Sequence, residues 1–161
     1  MNRWQWFQLI SFQVIWFVAV FGRNQWLLVA LLILLLHFAF SPEKKSDLKV
    51  LSLALLGIGI DAMLTAFGVF QFDETPFWLA VLWLAFVLNF GHSLLYLRRL
   101  KTPWLVALGA CAGCYVYLLS WKLGAVVLPL GVLFTGLLVG VIWAVLLPIM
   151  VKADQRLRDI S

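Results

Sequence analysis

Six apolar stretches, running roughly over 4–22, 25–41, 48–71, 77–97, 103–121 and 127–150, take up nearly the whole chain. A helix needs ~17–25 predominantly apolar residues to cross the hydrocarbon of a bilayer, and all but the short second stretch meet that length comfortably. Inside hydrocarbon there is no water to satisfy backbone N–H and C=O groups. A helix satisfies them internally, so it is the structure such stretches can form. The pattern predicts an all-α, polytopic membrane bundle of six transmembrane helices, a single domain over residues 1–161. Composition agrees, with 65% hydrophobic and 12% charged residues, where a soluble domain carries ~25% charged. Almost nothing is left for a soluble catalytic or binding domain, so function must sit within the bundle or in its partners.

Punctuation supports these boundaries. Pro76 and Pro103 follow Thr75 and Thr102, which read as N-caps. Pro42 follows the second stretch, and Pro129 and Pro148 lie near the two ends of the sixth. Trp4, Trp6, Trp26, Trp78, Trp104 and Trp121 fall near stretch ends, where indoles anchor at the membrane surface. Ten of the twelve Lys and Arg residues belong to the N-terminus, the second and fourth connections and the tail; only Arg23 and Lys122 lie opposite. The positive-inside rule then predicts cytoplasmic N- and C-termini. Net charge is +5, but these basic residues crowd beside spans. They read as topology determinants and headgroup contacts, not as a nucleic-acid surface. Arg3 before an apolar run imitates a signal peptide. With no small-residue cleavage site and further spans following, it reads as a retained first helix. Residues 121–129 read as a tight external turn, with a re-entrant segment as the alternative. The last ten residues read as a charged cytoplasmic extension, and no internal repeat is evident.

Asp61 is the one acidic residue deep in a span. An ionised carboxylate there costs at least ~2.5–3.5 kcal/mol, so it is expected to be paired, protonated or hydrated. Ala54, Gly57, Asp61, Thr65 and Gly68, spaced by 3, 4, 4 and 3, share one helical face. Small residues let another helix approach, which points this face inward. Asn89, His92, Ser93 and Tyr96 mark the fourth stretch. Counting helical rise, Asp61 lies roughly 18 Å above Lys49 and Asn89 roughly 13 Å above Arg98, so the two are expected to meet. His92 and His37 fall roughly 9–10 Å inside the charged connections, and Gln13 roughly 15 Å above Arg3. Asp61, Asn89, His92, Gln13 and His37, with Thr65 and Tyr96 beside them, are therefore candidates for a polar pocket serving ligand binding or proton relay. The alternative for Asp61 is a hydrogen-bonding strut, and for each histidine a packing role.

Other motifs carry less. Cys111 and Cys114 spell C-x-x-C, but mid-span and among Gly109, Ala110 and Gly113 they read as close packing rather than redox chemistry. Gly136 and Gly140 form a GxxxG packing signal. The glycines before Asp61 resemble the aspartyl intramembrane protease motif off by one residue, and no second carboxylate shares a span. Ser93 adjoins His92 without facing it, and no H-E-x-x-H is present. No catalytic residue, metal site or cofactor is assigned.

Phe12-Gln13-x-x-Trp16-Phe17, His37 ahead of Ser41-Pro42, Gly57-x-x-x-Asp61, Trp83-Leu84-x-Phe86, His92-Ser93-Leu94 and Leu123-Gly124-Ala125 occur in that order. This pattern resembles a family of small bacterial inner-membrane proteins, domain of unknown function 2878. The resemblance implies a multi-pass protein of the bacterial cytoplasmic membrane without an established activity. It also implies an association with gene clusters for fatty-acid or phospholipid modification, and it supplies no active site.

The leading expectation is a non-enzymatic accessory protein that binds a lipid or another membrane protein. A proton-coupled carrier of a small or amphiphilic molecule is the second; Asp61 would exchange the proton, and the short chain would call for a homo-oligomer. An intramembrane lipid-modifying enzyme using Asp61 and His92 is the third. Its weakness is their difference in depth.

Overall fold

The computed structural model describes residues 2–159. Helix α1 (Arg3–Gly22) opens with a reciprocal cap: the Asn2 carboxamide accepts from the Gln5 N–H at 2.8 Å, and the Gln5 side chain accepts from the Asn2 N–H at 2.9 Å. These bonds satisfy donors that a helix start leaves free. Arg23, at φ +48°, stops α1. A 3-10 turn (Arg23–Trp26) leads into α2 (Leu27–Phe40), which runs back along α1. The reversal brings the Trp4 ring to 5.6 Å from the His37 ring. Gly22 permits it, because a Cβ there would lie 2.4 Å from the Trp26 ring.

Ser41 and Pro42 break the helix before a short charged α3 (Lys44–Val50) and the apolar α4 (Ser52–Ala66). Gly68, at φ +72°, turns the chain into residues 69–76. Helix α5 (Phe77–Asn89) is followed by an irregular link containing a 3-10 turn at Leu95–Arg99. Helices α6 (Thr102–Lys122) and α7 (Val132–Asp159) complete the chain. Among the described residues there is no strand, only an isolated bridge between Gln71 and Val127.

Several boundaries differ from the sequence reading. The fourth stretch, expected over 77–97, is helical only to Asn89. Asn89 turns its amide back onto the Ala85 carbonyl at 2.8 Å and accepts from the Ser93 hydroxyl, a local bonding pattern that competes with helix propagation. Thr75 and Thr102 make no side-chain cap; the Trp78 N–H is instead satisfied by Asn24 from the first turn, at 3.2 Å. The sixth stretch begins at Val132, after Gly131 at φ +86°, and continues through Pro148 into the charged tail as helix up to Asp159. Ile160 and Ser161, the last residues of that tail, lie outside the described residues.

Glycine sets the closest packing. A Cβ on Gly109 would sit 2.2 Å from the Trp143 carbonyl oxygen, so α6 and α7 touch backbone to side-chain-free backbone. Gly136 and Gly140 lie against Cys114 and Ala110 of α6. Both cysteines are free. On α4, Gly57 leaves room for the Trp83 ring, which stacks on Trp143 at 5.4 Å and 10°. Ala54, Trp83, Val87, Leu147 and Met150 form one apolar core there, joining α4, α5 and α7.

Among the described residues, four helical stretches are long and apolar enough to cross a membrane: Arg3–Phe40, Lys44–Ala66, Thr102–Lys122 and Val132–Asp159. The first comprises α1, its turn and α2; Phe77–Asn89 is apolar but shorter. The bundle has two chemically distinct ends. At one, Arg23 bonds Asp73 at 2.7 Å and the Gly124 carbonyl, and Asn24 donates to the Thr75 carbonyl at 2.8 Å. The other gathers Trp4, His37, Asp47, His92 and Arg158, bringing the first turn of α1 and the last turns of α7 to the same end.

Candidate functional site

Polar chemistry collects at two places. At the first, Asp47 of α3 is fully buried. Its Oδ2 accepts from Ser41 Oγ and from His37 Nε2 at 3.0 Å; its Oδ1 accepts from His92 Nε2 at 3.0 Å and Arg158 Nη2 at 2.8 Å. Arg158 also reaches Glu43 at 3.0 Å and Asp154 at 2.9 Å, and Asp154 takes Arg98 at 2.7 Å. Gly91 makes room for this, since a Cβ there would lie 2.0 Å from the Arg158 guanidinium carbon. Five segments are thereby tied to one carboxylate or to its guanidinium partner.

The hydrogen-bond directions fix the tautomers. An indole N–H only donates, and Trp4 Nε1 donates to His92 Nδ1 at 3.1 Å. His92 therefore carries its proton on Nε2 and gives it to Asp47. The same carboxylate accepts Nε2–H from His37, whose Nδ1 is then an acceptor in the neutral ring. No protein group reaches that buried Nδ1.

His37, Asp47 and His92 present ligand atoms within 4.8 Å of one another, a spacing suited to a metal ion. Their bonding pattern is not. A histidine bound to metal through Nε2 ordinarily donates Nδ1–H to an outer acceptor, whereas His92 Nδ1 faces a donor. The Arg158 guanidinium also already occupies the carboxylate. The group fits a proton-ordered hydrogen-bond cluster.

The second place is Asp61, 4% exposed in the middle of the bundle. Trp83 Nε1 donates to its Oδ2 and Tyr117 OH to its Oδ1, each at 2.6 Å. Thr65 donates to the Asp61 carbonyl at 2.8 Å, a bond within α4. The small-residue face of α4 thus serves Trp83: Gly57 admits the ring and Asp61, one turn on, receives its N–H.

Trp83 and Tyr117 also line a cleft of about 510 Å³, within the ~300–1,000 Å³ usual for ligand sites. Its walls come from α1, α5, α6 and α7 and are aromatic and aliphatic, with Trp16, Phe86 and Trp143 prominent. Gln13 and Tyr96, both exposed, lie on its wall.

The residues singled out from sequence are therefore divided. Asp61 and Thr65 share one locus, His37 and His92 another, and Gln13 and Tyr96 the cleft. Asn89 is closed on Ala85 and Ser93 and does not meet Asp61. The depth count carried helical rise through 90–97, where the chain in fact turns, so α5 meets Asp61 through Trp83 instead. Asp47, Arg158 and Tyr117 were not pocket candidates, nor were Trp4, read as an interfacial anchor, or Ser41 and Trp83, which stood only in the family pattern. Asp47 stands in KKSDLKV, which reads as a solvated connection. The spacing of four between His37 and Ser41, at the end of one helix, was the available signal.

Residues 5–149 match a family described as "Protein of unknown function (DUF2878)". No curated protein and no solved structure matches the chain.

Proposed function

The chain belongs to the DUF2878 family, and we propose that it is a multi-pass protein of the bacterial inner membrane that binds the hydrocarbon portion of a lipid as an accessory to membrane lipid modification. In this reading all six apolar segments enter the membrane, with both termini cytoplasmic. The doubling back of Arg3–Phe40 and the gathering of basic residues at the end that holds both termini support it. The cleft carries the functional part. A surface so apolar and aromatic, bounded by four helices, favours hydrocarbon over a polar solute.

Ala112 is exposed on the cleft wall and can be enlarged without entering the α6–α7 contact. The Ala112→Trp protein, purified in detergent and incubated with phosphatidylethanolamine and phosphatidylglycerol, is expected to retain at least about tenfold less lipid by native mass spectrometry, about 1.4 kcal/mol in affinity. Its melting should stay that of the parent. Equal lipid retention by both proteins would remove the cleft from consideration.

One observation favours a second reading, proton-coupled transport of an amphiphile. Asp61 lies directly behind two residues of the cleft wall, so a change in its protonation would be felt by an occupant through Trp83 and Tyr117. Flux into proteoliposomes driven by a pH gradient is then lost in Asp61→Asn; flux that survives the substitution excludes this reading.

A further inference from the structure

A small chamber lies between α1, α2 and α5, beside the Asp47 cluster and apart from the cleft. Gln8, Ser11, His37 and Asn89 supply its polar lining, and Ile15 and Leu34 close it. Its volume is about 10 Å³, roughly what one water molecule needs. Two of its polar side chains, Gln8 and His37, are each only 3% exposed. Among the described residues, neither Gln8 Nε2 nor His37 Nδ1 has a protein partner. Their roles are complementary: the amide nitrogen donates, and Nδ1 of a neutral imidazole that gives its Nε2–H to Asp47 accepts.

We propose that this chamber binds one water molecule between Gln8 and His37. The water oxygen accepts from Gln8 Nε2–H, and a water hydrogen is donated to His37 Nδ1. An apolar cavity of this size would stay dry, but two buried unpaired polar groups of opposite sense give a water the contacts it requires. The bonds then run without interruption from Gln8 through water, His37, Asp47 and His92 to Trp4.

His92 offers water no such site, because its Nδ1 already accepts from the Trp4 indole at 3.1 Å.

The chain has two histidines, so solid-state 15N NMR of the full protein in lipid bilayers, labelled at histidine, resolves both. A water cross-peak is expected at His37 Nδ1 and none at His92 Nδ1. Gln8→Leu should abolish that cross-peak. A missing water cross-peak at His37, or an equal one at His92, would overturn the proposal. The parent spectrum decides both points even if the variant does not fold.

Discussion

Asp47→Ala is expected to lower stability by about 3–5 kcal/mol, the range for removing one partner of a buried charged pair. Four donors lose their acceptor at once: His37, His92, Ser41 and the Arg158 guanidinium. Arg158 is the costly one, because its side chain is only 6% exposed, and Asp154 must then hold it together with Arg98. The loss is also topological. Asp47 joins α3 to the end of α2, the link after α5 and the last turns of α7, so its removal releases all of these together. Unfolding in mixed micelles, followed by tryptophan fluorescence, measures the effect. Glu43→Ala is the internal comparison. It removes a half-exposed partner of the same guanidinium, for which less than about 1 kcal/mol is expected. Equal effects from the two substitutions would mean that Asp47 does not organise this end of the bundle.

Asp61→Leu brings opposing terms. Removing a carboxylate from the bundle interior relieves its burial cost, while the Trp83 N–H and Tyr117 O–H are each left buried without an acceptor, at about 1–3 kcal/mol apiece. The two orphaned donors together cost about 2–6 kcal/mol, against at least ~2.5–3.5 kcal/mol relieved, so the single variant does not isolate the bonds. The decisive comparison is the double variant Asp61→Leu with Tyr117→Phe. It removes one orphan along with the charge and should recover about 1–3 kcal/mol relative to Asp61→Leu alone, since replacing both partners of a buried hydrogen bond by apolar groups can be nearly neutral. Additive losses in the double variant would show that the Tyr117–Asp61 bond contributes nothing, and the strut interpretation of Asp61 would fail. The same purified proteins serve the flux measurement, so a structural and a transport role for this carboxylate are separable.

Much of the molecule was legible in one dimension because membrane folding is governed by local composition. A long apolar run favours a helix from its own backbone needs, and Gly109, Gly113, Gly136 and Gly140 announce close approach before the partner is known. The face of α4 carrying Ala54, Gly57 and Asp61 was visible for the same reason: it depends only on helical period. The partner of Asp61 was not. A tryptophan in an apolar run reads as hydrocarbon, and nothing local to Trp83 or Tyr117 shows that their polar atoms turn toward one carboxylate.

Sequence alone determined that this chain is helical and apolar enough for a membrane, and that a buried Asp61 needs a partner. Those conclusions follow from period, length and the cost of burying polarity. Which partners they find was decided by tertiary structure. Asp47 looks like one more charge in a basic connection until the ends of α2 and α7 close over it, and α5 looks like a full-length span until Asn89 bonds back onto Ala85. The division of one expected pocket into a histidine cluster, a carboxylate strut and an apolar cleft depends on where separate helices stop and how closely glycine lets them approach. Those distances are set between segments far apart in the chain.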